Sequence, residues 1–159
     1  INWMTMPISV QMQGINDEAQ RIAERVDRVI FNALSRLGEM CVAKIRERSA
    51  AQSWCDQTGN LRSSIGYAVV HNGNVISISD FAVVGNGAEG ATDGKSYATK
   101  VASGIRKKWA LIVVAGMNYA SYVEAIDSKD VLANTELWAR AETPKVMAQL
   151  EAQISKIKR

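Results

Sequence analysis

The stretch that decides the fold is Gln57-Thr58-Gly59-Asn60-Leu61-Arg62-Ser63-Ser64-Ile65 (QTGNLRSSI), which separates a long helical pattern from a run of β-forming residues. Its Thr-Gly centre is also the turn sequence of aspartic proteases, where a preceding aspartate carries out the acid–base chemistry. Here Gln57, which cannot titrate, precedes Thr58, and Asp56 is out of register. The protease mechanism needs that carboxylate, so this class of enzyme is excluded.

With proteolysis excluded, we interpret the stretch as a hinge from helix to sheet. Gly59 can adopt the backbone angles that end or turn a helix. Thr58 and Asn60 can cap exposed backbone groups on either side of it. Leu61 and Ile65 are expected to anchor the chain as it enters the sheet.

A long amphipathic helix is predicted before the hinge. Apolar residues recur at helical spacing from Ile15 to Ile45, after a short predicted strand at 8–13 and an N-cap at Asn16. About 35 helical residues extend about 50 Å, whereas a compact domain of this size spans about 40 Å. Either the helix breaks, near Gly38, or one end extends beyond the domain. An apolar stripe that extends beyond the domain needs another copy or another protein to cover it.

An antiparallel sheet is predicted after the hinge. Asn72-Gly73 between two β-rich runs is the strongest short hairpin signal, because both turn positions need positive φ, and it predicts a hairpin at 65–83. The segment 109–116 is apolar at consecutive positions, so both faces of a strand here would be apolar. This pattern predicts a central strand. The segment 85–108 is rich in small residues and predicts a flexible loop.

The remaining elements are helical. A short helix is predicted at 119–125, followed by a C-terminal helix from Thr135 to Arg159 in which Pro144, capped by Thr143, begins a new segment. The order helix, antiparallel sheet, helix predicts an α+β fold, and the length of 159 residues suits a single domain spanning residues 1–159.

Composition excludes several classes of protein. Hydrophobic residues make up 47% and charged residues 22% of the chain, which is ordinary for a globular domain. The longest apolar run, Trp109 to Met117, is about half the roughly 18 residues of a membrane span, so no membrane contact is expected. Two cysteines, Cys41 and Cys55, predict reduced thiols in a protein made in the cytosol.

Two glycine patterns resemble nucleotide-binding motifs but fail on detail. Residues 85–90 (GNGAEG) fit the dinucleotide fingerprint, yet a turn sequence rather than a helix is predicted to follow. Gly94-Lys95-Ser96 ends like a phosphate-binding loop, but Glu89 occupies the position of its first glycine. His71 is the only histidine, which leaves no usual zinc site. We therefore expect no enzyme activity, no cofactor and no metal.

Basic residues are concentrated in one segment. The net charge is only +3, but the segment 95–108 contains no acid and five basic residues, Lys95, Lys100, Arg106, Lys107 and Lys108. A dedicated nucleic-acid binder usually has a broader basic face with interleaved aromatic residues. We interpret the segment as solvated surface, with contact to DNA or to a partner as the alternative.

The order of these elements resembles the neck or tail-completion (head–tail joining) proteins of tailed bacteriophages, also described as minor tail components. The likeness lies in the long helix that leads into Thr58–Ile65, the apolar strand that leads into Tyr119–Glu124, and the closing helix. The family commonly has Pro and Asp shortly before Thr-Gly, and a Gly-Thr turn after the second segment. This chain has Asp56-Gln57 and Ala125-Ile126 at those places.

The resemblance implies a structural virion protein at the junction of capsid and tail, assembled in the bacterial host cytoplasm as a ring around the DNA channel. A six-fold ring is the first expectation and a twelve-fold ring the second. The implied partners are further copies, head-closure or connector proteins, tail-tube or tail-terminator proteins, and DNA in the channel. The same residues also suit a generic oligomeric adaptor module, or a weak DNA-binding protein that uses the segment 95–108.

Within this interpretation, several residues are candidates for an interface. Tyr119, Tyr122 and Glu124 form either an interface patch or a mixture of packed and exposed side chains. Arg62 either pairs with an acid across a subunit boundary or faces solvent. The members of the hinge motif with an expected structural role are Thr58, Gly59, Asn60, Leu61, Arg62, Ser64 and Ile65.

Overall fold

The computed structural model describes residues 8–47, 56–117 and 132–157, and these residues form an α+β fold. The elements in chain order are helix α1 (Ile8–Arg46), helix α2 (Asn60–Ser63), strand β1 (Ile65–His71), strand β2 (Asn74–Ile78), helix α3 (Ala88–Ser103), strand β3 (Trp109–Ala115) and helix α4 (Ala133–Ile157). The predicted fold class is confirmed, with a long first helix, an antiparallel sheet and a C-terminal helix.

The described strands form a three-stranded antiparallel sheet in the order β2-β1-β3. The predicted hairpin is confirmed: Asn72 and Gly73 have φ of 51° and 78°, the positive angles that this turn needs. Its second strand ends at Ile78 rather than near 83. The predicted strand at 109–116 exists, but its central position is wrong, because β1 is the central strand. β3 is apolar on both faces because α1 covers one face of the sheet and α3 covers the other.

The core lies on both sides of β1. Ile65, Tyr67 and Val69 face α1 and pack in one cluster with Val42, Ile45, Leu61 and Ala115. Ala68 and Val70 face α3 and pack in a second cluster with Ala102. The alternation follows from the two-residue period of a strand. The sheet is therefore the middle layer between α1 and α3.

Helix α1 is uninterrupted over 39 residues. The strand expected at 8–13 and the N-cap expected at Asn16 are wrong, because both lie within the helix. Extending an existing helix avoids the cost of a new nucleus, and each of its two interior glycines, Gly14 and Gly38, costs only about 1 kcal/mol. The predicted break near Gly38 is also wrong. At 1.5 Å per residue the helix is about 58 Å long.

The flexible loop predicted at 85–108 is wrong over most of its length, because Ala88–Ser103 is helix α3. The small residues of this helix have a packing role. The buried positions of the helix, Gly90, Gly94, Ala98 and Ala102, follow one another at intervals of four residues. This spacing places them on one face, where the absence of large side chains allows the helix to approach the sheet closely.

Helix α4 continues through Pro144, so the predicted new segment at this residue is wrong. Proline lacks the N–H that would bond to the carbonyl of Arg140. Both residues are exposed, so water can donate a hydrogen bond to the carbonyl that proline leaves unpaired. The helix predicted at 119–125 lies outside the described residues. None of the described helices combines the length and the apolar character needed to cross a membrane.

Candidate functional site

The turn at Gly59 lies between α1 and β1, where the hinge was expected. Gly59 has φ of 83° and is buried. A Cβ atom at this position would lie 1.9 Å from the carbonyl oxygen of Val84. Both the positive φ and the close approach of the two backbone segments therefore require glycine.

Asp56 fixes this turn from the other side. Its Oδ1 accepts a hydrogen bond from the Gly59 N–H at 3.0 Å, and its Oδ2 accepts one from the Arg62 N–H at 2.7 Å. A carboxylate that accepts N–H groups at the start of a helical turn satisfies donors that the helix leaves unpaired. Asp56 is thus a capping residue. The sequence pattern does not identify Asp56 as a cap, and the signal available is only that Asp is a residue type that favours capping near the start of a helix.

The hinge motif also holds the first turn of α3. Asn60 Oδ1 accepts a hydrogen bond from the Gly90 N–H at 3.1 Å, although the two residues are thirty positions apart. Ser63 Oγ accepts the Val84 N–H at 2.8 Å. The carbonyl of Thr58 accepts the Asn86 N–H at 3.1 Å. The motif therefore joins the chain before α3 to the end of α2.

The glycines of the GNGAEG pattern form a packing surface. A Cβ on Gly87 would lie 2.2 Å from Ser63 Oγ, and one on Gly90 would lie 2.0 Å from the carbonyl oxygen of Asn60. A helix does begin here, contrary to expectation, but Asn60 occupies the place at its N-terminus where a pyrophosphate would need to bind. The glycines thus serve contact between α2 and α3 rather than nucleotide binding.

Arg62 and Arg46 tie the end of α1 to the motif. The Arg62 Nη1 donates to the carbonyl of Arg46, and the Arg46 Nη2 donates to the carbonyl of Ile65 at 2.8 Å. Burial lowers the pKa of the Arg46 guanidinium, an effect that the negative charges of Asp80 and Glu39 oppose. The structure thus gives Arg62 a contact within its own chain, and a role at a subunit boundary stays a prediction.

Helix α1 meets the sheet at Gly38. A Cβ here would lie 2.6 Å from Cγ of Tyr67, so the absence of a side chain makes room for the tyrosine ring. The Tyr67 hydroxyl donates to Glu39 Oε1 at 2.9 Å. Burial, followed by this hydrogen bond and the charge of Glu39, raises the pKa of Tyr67 to about 12. Gly38 is therefore a contact point of the helix rather than a break.

The basic residues of 95–108 are divided between two places. Lys95 and Lys100 are exposed on α3. Arg106 lies beside the hairpin turn, where its Nη1 donates to the carbonyl of Ser103 at 2.7 Å. The backbone carbonyls of Lys107 and Lys108 accept N–H groups of the turn residues, which leaves both side chains exposed.

The residues that could suggest catalysis are apart. Ser64 and His71 stand at opposite ends of β1, about 20 Å from each other at the rise of a strand. The Ser64 hydroxyl donates to the carbonyl of Leu61 at 2.7 Å. His71 stacks on Trp109 with ring centroids 4.0 Å apart, and its Nε2 lies 3.9 Å from Asp27 Oδ1. Within residues 8–47, 56–117 and 132–157, no group of three acidic, His or Cys side chains could hold a metal ion.

The most prominent surface is the first half of α1. Every residue from Asn16 to Arg25 is exposed except Ile22, which is half-buried. By contrast, Leu37, Cys41 and Ile45 in the second half are at most 7% exposed. The predicted extension of one helix end beyond the domain therefore describes this molecule. Tyr119, Tyr122 and Glu124 lie outside the described residues.

The arrangement places a projecting helix beside a packed sheet, and one comparison with known proteins identifies a family. The family model described as "Bacteriophage HK97-gp10, putative tail-component" matches residues 13–125, which include α1 from residue 13 onward, the hinge motif and the sheet. Neither the curated proteins nor the solved structures gave a match. Because the family model covers well over half of the chain, this protein belongs to the HK97-gp10-like family of phage tail components.

Proposed function

We propose that this protein is a structural virion protein at the phage head–tail junction, where a ring of copies completes the tail or neck and joins it to the capsid connector. Membership of a tail-component family supports a place in the particle. The observation that carries the finer proposal is the projecting half of α1, since an amphipathic helix that the described residues of its own chain leave exposed suits contact with another subunit. Six copies, matching the tail tube, are expected first and twelve second.

A ring suits the geometry of such a contact. When one surface of a subunit binds a different surface of the next, identical contacts repeat around an axis and close if the rotation permits. The hinge motif contributes rigidity, because hydrogen bonds between side chains and backbone groups link it to the end of α1, the start of α3 and β1. In this role the protein acts by binding and needs no catalytic group.

The test is to disrupt the gene in the parent phage or prophage and to image the lysate by electron microscopy. We expect filled heads and free tails that fail to join, and recovery of joined particles when an intact copy of the gene is supplied from a plasmid. Mass spectrometry of purified wild-type particles is expected to find this polypeptide. Infectious tailed particles that form without it would contradict the proposal.

A second function, contact with DNA in the channel, is favoured by the exposed side chains of Lys107 and Lys108 beside the hairpin turn. Such contact predicts binding to random duplex DNA that weakens steeply with salt, since phosphate contacts release counterions. Replacing both lysines by glutamine is expected to reduce the binding and its salt dependence. Binding that does not change with salt would exclude it.

A further inference from the structure

Helix α4 covers only part of α1. The Lys44 Nζ lies 5.3 Å from the centroid of the Trp138 ring, and Val29 lines the same groove as Gln153. Lys44 and Val29 are as far apart in sequence as Trp138 and Gln153. The two helices are therefore antiparallel, and each residue of one lies level with a fixed residue of the other. Helix α4 ends at Ile157, which is therefore level with about residue 25 of α1, because both helices rise about 1.5 Å per residue. Residues 8–24, which we call the projection, extend about 25 Å past this level.

The projection has the sequence of a helix that packs on other helices. Its apolar positions are separated alternately by four and three residues. The same spacing continues into the part of α1 that α4 covers. These positions are Ile8, Met12, Ile15, Ala19, Ile22, Val26, Val29 and Ala33. An interval of three and a half residues on average is the repeat of helices that pack side by side. At one end, Val29 and Ala33 of this stripe lie beside α4, whereas at the other Ala19 is exposed and Ile22 is half-buried.

The same molecule also has an open groove between α1 and α4, with a volume of about 420 Å³. Its lining is mixed: Leu37 and Leu150 are 7% and 6% exposed, and polar side chains such as Asn32 and Gln149 also line it. At its margin Met40 is 39% exposed. A groove of this kind between two helices is the surface that an amphipathic helix binds through its apolar face.

We propose that the projection of one copy docks in the α1–α4 groove of the next copy, and that this contact builds the ring proposed above, on which the inference rests. A chain cannot fill its own groove in this way, because the projection and one wall of the groove belong to the same uninterrupted helix. The contact is therefore between copies. Each copy that binds a neighbour keeps one free projection or one free groove, which is the condition for a ring.

The charges are consistent with a second copy as the occupant. Arg36 and Lys145 stand on opposite walls of the groove. Lys145 is 2.7 Å from Glu142, whereas Arg36 has no ion pair among the described residues. The projection carries Glu18 between Ile15 and Ile22, near the edge of the stripe. Its ion pair with Arg21, at 3.9 Å, is exposed and can exchange for Arg36 of a neighbour at little cost.

The experiment joins two proteins that each carry one introduced, exposed cysteine, while native Cys41 is buried and Cys55 is replaced. Every cross-link between two introduced cysteines is therefore between copies. Full-length chains in a Cys55→Ser background receive either Asn16→Cys in the projection or Gln149→Cys at the margin of the groove. The mixture is treated with a bismaleimide at rising protein concentration, and the product is quantified by mass spectrometry. We expect about ten-fold more cross-linked product than from a control mixture of Asn16→Cys with Lys100→Cys, since α3 is across the sheet from the groove.

A second pair of variants tests the direction of the contact. Ile22→Glu damages the projection and Met40→Glu damages the groove, and either change made in both partners is expected to reduce the cross-link about ten-fold. When Ile22→Glu is present only in the Gln149→Cys partner, the intact projection still meets an intact groove and the cross-link is expected to persist. Equal yields from the groove and control mixtures, or no cross-link at any concentration, would overturn the proposal.

The outcomes separate this inference from the proposed function. A specific cross-link together with normal tailed particles that lack the protein would support the contact and reject the head–tail role. Unjoined heads and tails after gene disruption, together with no specific cross-link, would support the role and reject the contact.

Discussion

The two halves of α1 have similar apolar spacing and opposite surroundings. In the second half, Leu37, Cys41 and Ile45 are buried between the sheet and α4. In the first half, Ile22 is half-buried and its neighbours from Asn16 to Arg25 are exposed. An amphipathic pattern therefore shows that a helix needs a partner, but it does not show whether that partner is the same chain. The second half serves the fold, and we propose that the first half serves assembly.

The largest expected effect comes from truncating the buried half. Ile45 is 0% exposed and packs with Val42 and Leu61, so Ile45→Ala is expected to lower the free energy of unfolding by about 2–5 kcal/mol. Ile22→Ala removes the same atoms from the projection and is expected to cost less than about 1 kcal/mol. Urea unfolding followed by circular dichroism compares the two. Equal losses would show that the two halves of α1 are equally packed.

The next effect concerns the closest contact of the buried half. Gly38→Ala places a Cβ 2.6 Å from the Tyr67 ring, which must shift. Crowding of this kind costs about 1–3 kcal/mol, which outweighs the gain of about 1 kcal/mol in helix propensity. The matched control is Gly104→Ala, where the nearest heavy atom to the new Cβ is 3.5 Å away. Thermal unfolding is expected to show a lower Tm for Gly38→Ala alone, and an unchanged Tm would contradict the contact.

A smaller effect is expected from pH. Tyr67 has a pKa of about 12 in the folded protein, against its ordinary value of 10 in the unfolded chain. The raised pKa stabilises the folded state fully below pH 10, and this contribution is lost as the pH rises toward 12. Tyr67→Phe removes the group that titrates, so its stability is expected to fall less steeply over that window. Parallel pH profiles for wild type and variant in urea unfolding would rule out this role for the hydroxyl.

The sequence predicts the elements that have a local signal. Asn72-Gly73 fixes the hairpin because two positive φ angles favour these residues. The long helix follows from its apolar period, and the hinge from Gly59. The family resemblance includes the long helix and the hinge among its features, and the match over 13–125 confirms it.

What the sequence did not predict depends on contacts distant along the chain. Helix α3 was missed because glycine and alanine are usually a sign of flexibility, whereas here Gly90 and Gly94 let the helix approach α2 and β1. The four-residue spacing of its small residues was the signal available. The hydrogen bond of Asn60 to Gly90 had no local signal. The edge position of β3 depends on strand order, which short-range patterns do not contain.

The smallest expected effect on stability is in the projection, where one substitution is expected to separate the stability of the fold from the assembly of the particle. Ile22→Glu keeps a good helix former on a helix that extends past α4, so the free energy of unfolding is expected to change by less than about 0.5 kcal/mol. The same change places a charge in the middle of the apolar stripe, where docking would bury it without a partner. A phage that carries Ile22→Glu is therefore expected to make folded protein and to fail in joining heads to tails.

The control for that variant is Gln20→Glu, which adds the same charge to an exposed position off the stripe and is expected to leave particle assembly normal. Circular dichroism with urea unfolding measures the fold of both variants, and plaque counts with electron microscopy measure assembly. If Ile22→Glu unfolds the protein, the first half of α1 belongs to the folded core after all. If Ile22→Glu and Gln20→Glu both assemble normally, the stripe has no part in joining subunits. If Ile22→Glu alone abolishes assembly while the protein stays folded, the first half of α1 binds a partner and does not stabilise the fold.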